Sequence, residues 1–544
     1  MKKFIYISIL LLALLLRFIK LGQEPVSLDW DEASLGYTAY TLLTNGTDEY
    51  GNTWPLSVRS FNDYKPPAYA YLAILPVAIF GLNEFSTRAP SAFLGSLTVI
   101  GVFLLTKEFF KKQSGFTNNQ TQYIALLAMF VFAISPWHLQ FSRAAFEGNI
   151  AVFFLTFGMY FLLRWLNPSK SYNAYVCAIF LVGTLYAYHA SRLVVPLLLF
   201  GIALRYRKFF LLHIKTTALS TLLAMLLCIP LLVVIARGTA SSRFLSVSIF
   251  GQENTSQQAL VYNHEDRSQG KNLLALTHNV RVEVFKDFIQ GYVNHYSISS
   301  MFVTGDVVER HHAPNVGLFY LIELPLMIIG LLYLIKNKFN YKFIFFYWVI
   351  IAPIPAAIST GTPHAIRSIL FLPIPQIAIA VGIFKLVQTD SNISAYKIIK
   401  PLVISTIIVA YSFNFAYYLN QYYSHQSVEY AKHWQYGYKE LVTYINQNQN
   451  IYNKIVITTA YDQPYIYFLF YNKHNIGLQI NDGSFNQKYN QIEFRRIDWS
   501  NDKNLKNTLL VGGPLEIPEN ETGTLNTIKF PDGADAFRII RSQK

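Results

Sequence analysis

Eleven apolar stretches set what this chain can fold into: residues 4–21, 86–106, 121–137, 149–165, 173–189, 191–204, 216–236, 316–335, 343–359, 367–386 and 401–419. A helix needs about 17–25 apolar residues to cross a bilayer, and most of these stretches reach that length. Charged residues make up 14% of the 544 positions, against about 25% in a typical soluble domain. The shortage disfavours a wholly soluble enzyme, a disordered chain and a coiled coil. The expected fold class is a polytopic α-helical membrane protein of about eleven spans, with one soluble domain attached. Cys177 and Cys228 both sit in apolar runs and give no disulfide framework.

The net charge of +14 would also suit nucleic-acid binding, but its placement argues otherwise. The cations gather in alternate short loops, as the positive-inside rule asks of cytoplasmic segments. They form the groups Lys2/Lys3, Lys107/Lys111/Lys112, Arg205/Arg207/Lys208, Lys336/Lys338/Lys342 and Lys397/Lys400, with Glu108 and Asp390 as the acids there. Much of the excess is therefore a topology signal, and no nucleic-acid partner is expected. Met1–Leu21 reads as a retained signal anchor in a cell membrane. Lys2 and Lys3 precede its apolar core, no small-x-small site follows, and Arg17 and Lys20 interrupt its end. With the N-terminus cytoplasmic, residues 22–85, 138–148, those around 189–192, 237–315, 360–366 and 420–544 face outward. Residues 66–82 look almost long enough to be a further span. Counting them would invert every later loop, and Pro66, Pro67 and Pro76 make a poor straight span. They are expected to form a helix lying at the outer interface or dipping into it.

Two domains follow: a transmembrane module over 1–420, with a first outer loop 22–85 and a large outer loop 237–315, and an extracytoplasmic α/β domain over 421–544. In the latter, Tyr430–Asn446 reads as a helix, Lys454–Ala460 as a strand and Gln463–Tyr471 as a second helix.

The first outer loop carries Asp29-Trp30-Asp31-Glu32 ahead of a helical stretch running to about Leu43. Two readings stand. A carboxylate just above a membrane can accept the proton of an acceptor hydroxyl or hold a divalent cation. The same residues suit helix capping, with Asp29 as N-cap and Glu32 three positions on. Neighbouring helical residues point about 100° apart, so Asp31 and Glu32 do different jobs. Further ionisable residues recur at outer helix ends: Lys65; Arg143 and Glu147; His189 and Arg192; Asp306, Arg310, His311 and His312; His364 and Arg367. Each alone suits an interfacial anchor or an i,i+4 pair. Together they place the unusual polar groups on one side of the membrane, whereas a transporter more often sets them near the midplane.

Transfer from a lipid-linked donor suits such a site. A polyprenyl-phosphate sugar keeps its tail in the bilayer, and its leaving group is an anionic phosphate that needs cations where charge develops. Lys65, Arg192 and Arg367 are candidates, with His189 and His364 beside them. Asp31 is the candidate base, and attack opposite the phosphate would invert the anomeric centre. A transporter or flippase of lipid-linked saccharides is the first alternative. A membrane anchor whose tail binds a partner is the second.

The chain resembles the GT-C glycosyltransferases, in the branch of the protein O-mannosyltransferases and the aminoarabinose transferases of lipid A. The resemblance covers roughly residues 1–420. It rests on the Asp31-Glu32 pair after one N-terminal span, on YKPPAYAYLAILPVAIFGLNEFSTRAPSAFLGSLTVIGVFLL, and on SRAAFEGNIAVFF and YAYHASRLVVPLLL. VTGDVVERHHAPNVGLFYLIELPLMIIGL and PHAIRSILFLPIPQIAIAVG complete it. It implies a polyprenyl-phosphate-sugar donor and a lipid, glycan or protein acceptor. It implies that Asp31 is the first-loop catalytic acid, with Glu32 its partner and Glu147 a second acid. It implies that Lys65 contacts donor phosphate and that the segment after it is a juxtamembrane helix. Any metal would be Mg²⁺ or Mn²⁺ at Asp31 and Glu147, matching oxygen ligands. The chain departs from the protein O-mannosyltransferases in having Tyr64-Lys65-Pro66-Pro67 where they carry a longer His-Pro-Pro-Leu-Gly-Lys segment, and in lacking a β-trefoil insertion.

Overall fold

The structure, a computed structural model, describes residues 2–61, 63–111, 115–167, 170–236, 248–251, 253–388, 394–473, 487–489 and 491–542. Lys112 and Asp390 of the charge pattern, and part of the large outer loop, lie outside them. The chain divides into two compact units: residues 1–17, 93–142 and 147–418, and residues 18–92, 143–146 and 419–544. The first outer loop thus groups with the C-terminal residues, whereas the sequence reading placed it with the spans.

The first unit is helical. It includes most of helix α1 (Lys2–Phe18), the body of a long helix running through Glu84–Phe109, and the helices Asn118–Ile134, Glu147–Leu166, Tyr172–Ala187, Ser191–Arg205 and Ile214–Ala236. Among the described residues, four helices are long and apolar enough to cross a membrane: Glu84–Phe109, Glu147–Leu166, Ile214–Ala236 and Lys400–Glu429. A fifth is added if Asn118–Ile134 and Pro136–Ser142, bent by 56°, count as one span.

Several other apolar stretches are only partly helical. The stretch 316–335 is helical from Glu323, 343–359 breaks after Ile351, and 367–386 is helical from Ile374. Proline explains the last two, because Pro353 and Pro373 lack the N–H that an interior helical position needs. Small residues let the helices approach. A Cβ on Gly330 would lie 1.8 Å from the carbonyl oxygen of Ala378, and one on Gly382 would lie 1.9 Å from that of Leu326. Gly158 against Leu181 and Gly183 against Phe154 repeat the device on two other helices, as expected where backbones meet in a membrane bundle. Arg17, which interrupts the apolar N-terminal run, is fully buried. Its guanidinium donates to the carbonyls of Ala13 (3.1 Å) and Ala133 (3.2 Å) and lies 2.7 Å from His138 Nδ1.

The second unit contains helix α2 (Trp30–Asn45), a hairpin of strands β1 (Val58–Ser60) and β2 (Asp63–Lys65), and helix α3 (Ala68–Phe80), which carries Pro76 within it. Among the described residues its sheet has six strands, β3 (Lys454–Ile457), β4 (Gln487–Tyr489), β5 (Ile492–Phe494), β6 (Thr508–Gly512), β7 (Thr524–Lys529) and β8 (Asp535–Arg541), in the order β4-β5-β3-β6-β8-β7. β3 lies between β5 and β6 and runs parallel to both, and the outer pairs are antiparallel. Val456, Leu510, Ile540 and Ile517 fill the core on one face. The expected helix over 430–446 starts instead at Tyr438. Gly437, with φ +102°, breaks the chain just before it, a conformation that glycine alone adopts freely. From there Tyr438, Leu441, Val442 and Ile445 form the buried stripe of an amphipathic helix.

Tyr467 donates to the carbonyl of Leu28 (3.1 Å) and Lys439 pairs with Glu84 at 2.8 Å. A Cβ on Gly36 would meet Phe470 at 2.8 Å. Contacts of this kind are why the outer loop and the sheet form one unit.

Candidate functional site

In the second unit the site begins with a helix cap. The Asp29 side chain accepts from the Glu32 amide (2.8 Å), and the Glu32 side chain accepts from the Asp29 amide (3.3 Å). This is the reciprocal capping box, so the capping reading holds for these two residues. Glu32 does more than cap. It is fully buried, its Oε1 accepts from Arg88 Nε (2.9 Å) and from the Ala145 amide (2.7 Å), and its Oε2 accepts from Arg88 Nη2 (2.9 Å). Arg88 also donates to the carbonyls of Leu21, Pro25 and Ser27. All five guanidinium N–H groups are thereby used. Arg88 was not legible as a site residue.

Asp31, one turn position away, escapes this frame. Its side chain is 41% exposed, and Oδ1 lies 2.5 Å from Nζ of Lys65, which is 4% exposed. Lys65 ends β2, whose register with β1 sets Lys65 opposite Val58. The hairpin therefore delivers a buried ammonium to a carboxylate that water can reach. Glu49, an acid of the same loop that its sequence position does not single out, is fully buried near them. Tyr465 donates to it at 3.3 Å, and its Oε2 bonds to no protein group among the described residues. Burial pushes the Glu49 carboxyl up to about 8, with Lys65 pulling the other way and Asp48 adding to the rise.

A pH dependence follows from Glu49. The unfolded carboxyl ionises near 4.5 and the folded one near 8, so between these values the folded protein holds the extra proton. Stability is full below pH 4.5 and is lost as pH rises through 8. Thermal unfolding in detergent from pH 4 to pH 9 should show this fall, and Glu49→Gln should flatten it and melt a few degrees higher than wild type at pH 8. An unchanged slope in that variant would remove Glu49 as the cause.

In the first unit, Glu147 opens the helix Glu147–Leu166. A Cβ on Gly148 would meet Ile366 at 3.1 Å, so the segment 364–369 packs against that helix start. Arg367 donates to the carbonyl of Thr360 (2.8 Å). Arg192 Nη1 lies 3.0 Å from His189 Nδ1. His364 is partly buried and stands with Asp306 and His311, the ring centroids of the two histidines being 4.9 Å apart. His311 Nδ1 is 2.7 Å from Asp306 Oδ2, which also accepts from the Ala365 amide at 2.5 Å. Burial would raise the Asp306 carboxyl, but His311 and the amides of Ala365 and Val308 bring it below its usual range. Burial, then the cationic and histidine neighbours, hold His364 well below the ordinary imidazole value.

The site residues read from the sequence thus fall into two groups. Asp31, Glu32 and Lys65 belong to the second unit; Glu147, His189, Arg192, His364 and Arg367 belong to the first. Oxygen ligands for Mg²⁺ or Mn²⁺ are present at Asp31, but there the carboxylate already faces an ammonium.

Residues 64–234 match the family model described as dolichyl-phosphate-mannose-protein mannosyltransferase. ArnT from Cupriavidus metallidurans in the apo state superposes with a TM-score of 0.55 at 12% identity, over 99% of this chain and 97% of that one. The chain has the GT-C fold. The same ArnT bound to undecaprenyl phosphate gives 0.53 at 12% identity, over 99% and 98% of the two chains. The Archaeoglobus fulgidus oligosaccharyltransferase tethered to an acceptor peptide gives 0.51 at 13%, over 98% of this chain and 74% of that one. No curated protein sequence matches the chain. The GT-C fold and the family match over 64–234 bear out the resemblance to the ArnT and O-mannosyltransferase branch.

Proposed function

We propose that the protein is a membrane glycosyltransferase that moves a sugar from a polyprenyl-phosphate donor to an acceptor hydroxyl on the outer face of the cytoplasmic membrane, with inversion. The observation that carries this reading is the Asp31–Lys65 pair: a water-accessible carboxylate held 2.5 Å from a buried ammonium. In the reaction the acceptor oxygen attacks the anomeric carbon and its proton passes to Asp31. The bond from that carbon to the phosphate oxygen breaks, and polyprenyl phosphate leaves. The arriving phosphate takes Lys65 from Asp31, so one event screens the leaving group and frees the base.

Glu32 and Arg88 are positioning residues in this scheme, since both spend their polar atoms on the frame. Arg192 and Arg367, with His189, are the further candidates for donor phosphate, and Glu147 for orienting the acceptor. About eleven spans with a cytoplasmic N-terminus would bring the first loop to the outer face. The ArnT relative bound to undecaprenyl phosphate supports the same donor class.

The test is the purified protein in vesicles, supplied with polyprenyl-phosphate sugars and membrane extract as acceptor source. Release of polyprenyl phosphate is the expected result, with the donor KM raised at least ~10-fold in Lys65→Met, since one missing charge-assisted contact is worth about 1.5–3 kcal/mol. Failure of every such donor to react, with the protein folded, would overturn the reading.

A further inference from the structure

We propose that Asp306, His311 and His364 form a binding site for a divalent transition-metal ion of the zinc class. One ligand atom from each lies within 4.8 Å of the others. Two come from one turn of chain and the third from a segment far along the sequence, so the arrangement is made by tertiary packing. Its parts are held in place. Asp306 accepts from the amides of Val308 (3.0 Å) and Ala365 (2.5 Å). The ring of His311 packs against Phe141, with centroids 5.2 Å apart. His295 Nε2 accepts from the His364 amide at 3.1 Å.

An ion pair between His311 and Asp306 is the simpler reading, and it accounts for two of the three residues. It leaves His364 unexplained. His364 Nδ1 is shielded from solvent and bonds to no protein group among the described residues, although buried polar atoms are nearly always paired. A metal ion would supply the missing partner.

The donor set names the class of ion. Two imidazole nitrogens and one carboxylate oxygen suit Zn²⁺ and its neighbours, whereas Mg²⁺ demands oxygen ligands in near-octahedral array. The site therefore differs in place and chemistry from the Mg²⁺ or Mn²⁺ expected at Asp31 and Glu147. Tetrahedral ligands at about 2.0–2.2 Å from zinc stand roughly 3.3 Å apart, inside the present spread, so side-chain rotation closes the shell. Three protein ligands leave a fourth position for an oxygen donor. Bound metal would clip the chain at 306–311 to the segment that carries Arg367. The inference stands without the transfer reading, because binding is measured without any sugar donor.

The experiment uses the full chain in detergent, stripped by a chelator and titrated with Zn²⁺ alone against a chromophoric competitor. One zinc per chain is expected, with an absorption-edge spectrum showing nitrogen and oxygen neighbours that include imidazole. His364→Ala should weaken binding by at least ~100-fold, the upper range seen when even an outer partner of a ligand is lost. His311→Ala should do the same. His425→Ala, which alters an exposed histidine, should bind like wild type. His364→Ala is the deciding variant, because its side chain lends no hydrogen bond to the apo fold; equal apo melting temperatures check this. Absence of stoichiometric zinc in the wild type would overturn the site. So would undiminished binding in folded His364→Ala, which would place the metal elsewhere.

Discussion

Asp31→Asn is expected to slow sugar transfer by at least ~100-fold, the lower bound for losing a positioned general base, while the protein still folds, with a lower melting temperature because the buried Lys65 ammonium loses its carboxylate partner. The structural reason for the intact fold is that Asp31 does not cap its own helix. Asp29 and Glu32 carry the reciprocal cap, and the Asp31 side chain is 41% exposed. The amide keeps the size of the carboxylate and loses its ability to take a proton. Its effect should fall on kcat. The donor KM should stay level or drop, because Lys65 no longer has to be drawn from a carboxylate before it meets phosphate. That pattern separates a base from a donor-binding group: Lys65→Met raises KM, and Asp31→Asn does not. Asp31→Glu should recover part of the rate, since the proton acceptor returns about one methylene out of place. Wild-type turnover in folded Asp31→Asn would end the assignment of Asp31 as base.

How much of this was readable in the chain depends on how far apart the interacting residues lie. The helix after Asp29 was legible because its cap is local: the N-cap and its reciprocal partner are three positions apart. The ion pair that buries Glu32 was not, since Arg88 follows 56 positions later and looks in sequence like any arginine at an outer helix end. Asp31 and Lys65 were both legible as candidates, yet only the β1–β2 hairpin shows that they meet. Asp306 and His311 stood out as polar residues before an apolar run; His364 joins them through packing that no spacing rule encodes. The apolar stretches pointed to a helical membrane fold, although among the described residues four or five helices, not about eleven, are long and apolar enough to span. They misplaced helix starts where a backbone feature outranks hydrophobicity, as at Pro373 and Gly437. They also said nothing of the grouping of the first outer loop with the C-terminal sheet, which rests on contacts such as Tyr467 with Leu28 and Lys439 with Glu84.

Arg88→Ala should cost about 3–5 kcal/mol, the usual penalty for leaving a buried charge without its partner. That is a large part of the 5–15 kcal/mol by which a folded protein typically exceeds its unfolded state. The variant strips two hydrogen bonds from the Glu32 carboxylate and one partner from each of the Leu21, Pro25 and Ser27 carbonyls. Its thermal midpoint in detergent should fall by about 3–4 °C, given the entropy of unfolding expected for a chain of this length. Arg88→Lys should recover little, because an ammonium carries three donors without the planar fork that reaches both carboxylate oxygens. The double variant Glu32→Leu/Arg88→Leu tests the cause: with both charges gone it should melt above Arg88→Ala, leaving unmet chiefly the Asp29 and Ala145 amides and the three carbonyls. A midpoint for Arg88→Ala within measurement error of the wild type would show that the pair is not holding the loop. The same series decides what Glu32 does for transfer. If it only positions Asp31, then Glu32→Gln at a temperature where it is fully folded should keep a substantial part of kcat with an unshifted pH profile. If it is itself the proton acceptor, the rate collapses as it does in Asp31→Asn. The fully buried carboxylate, committed to Arg88 and two amides, argues for the first outcome.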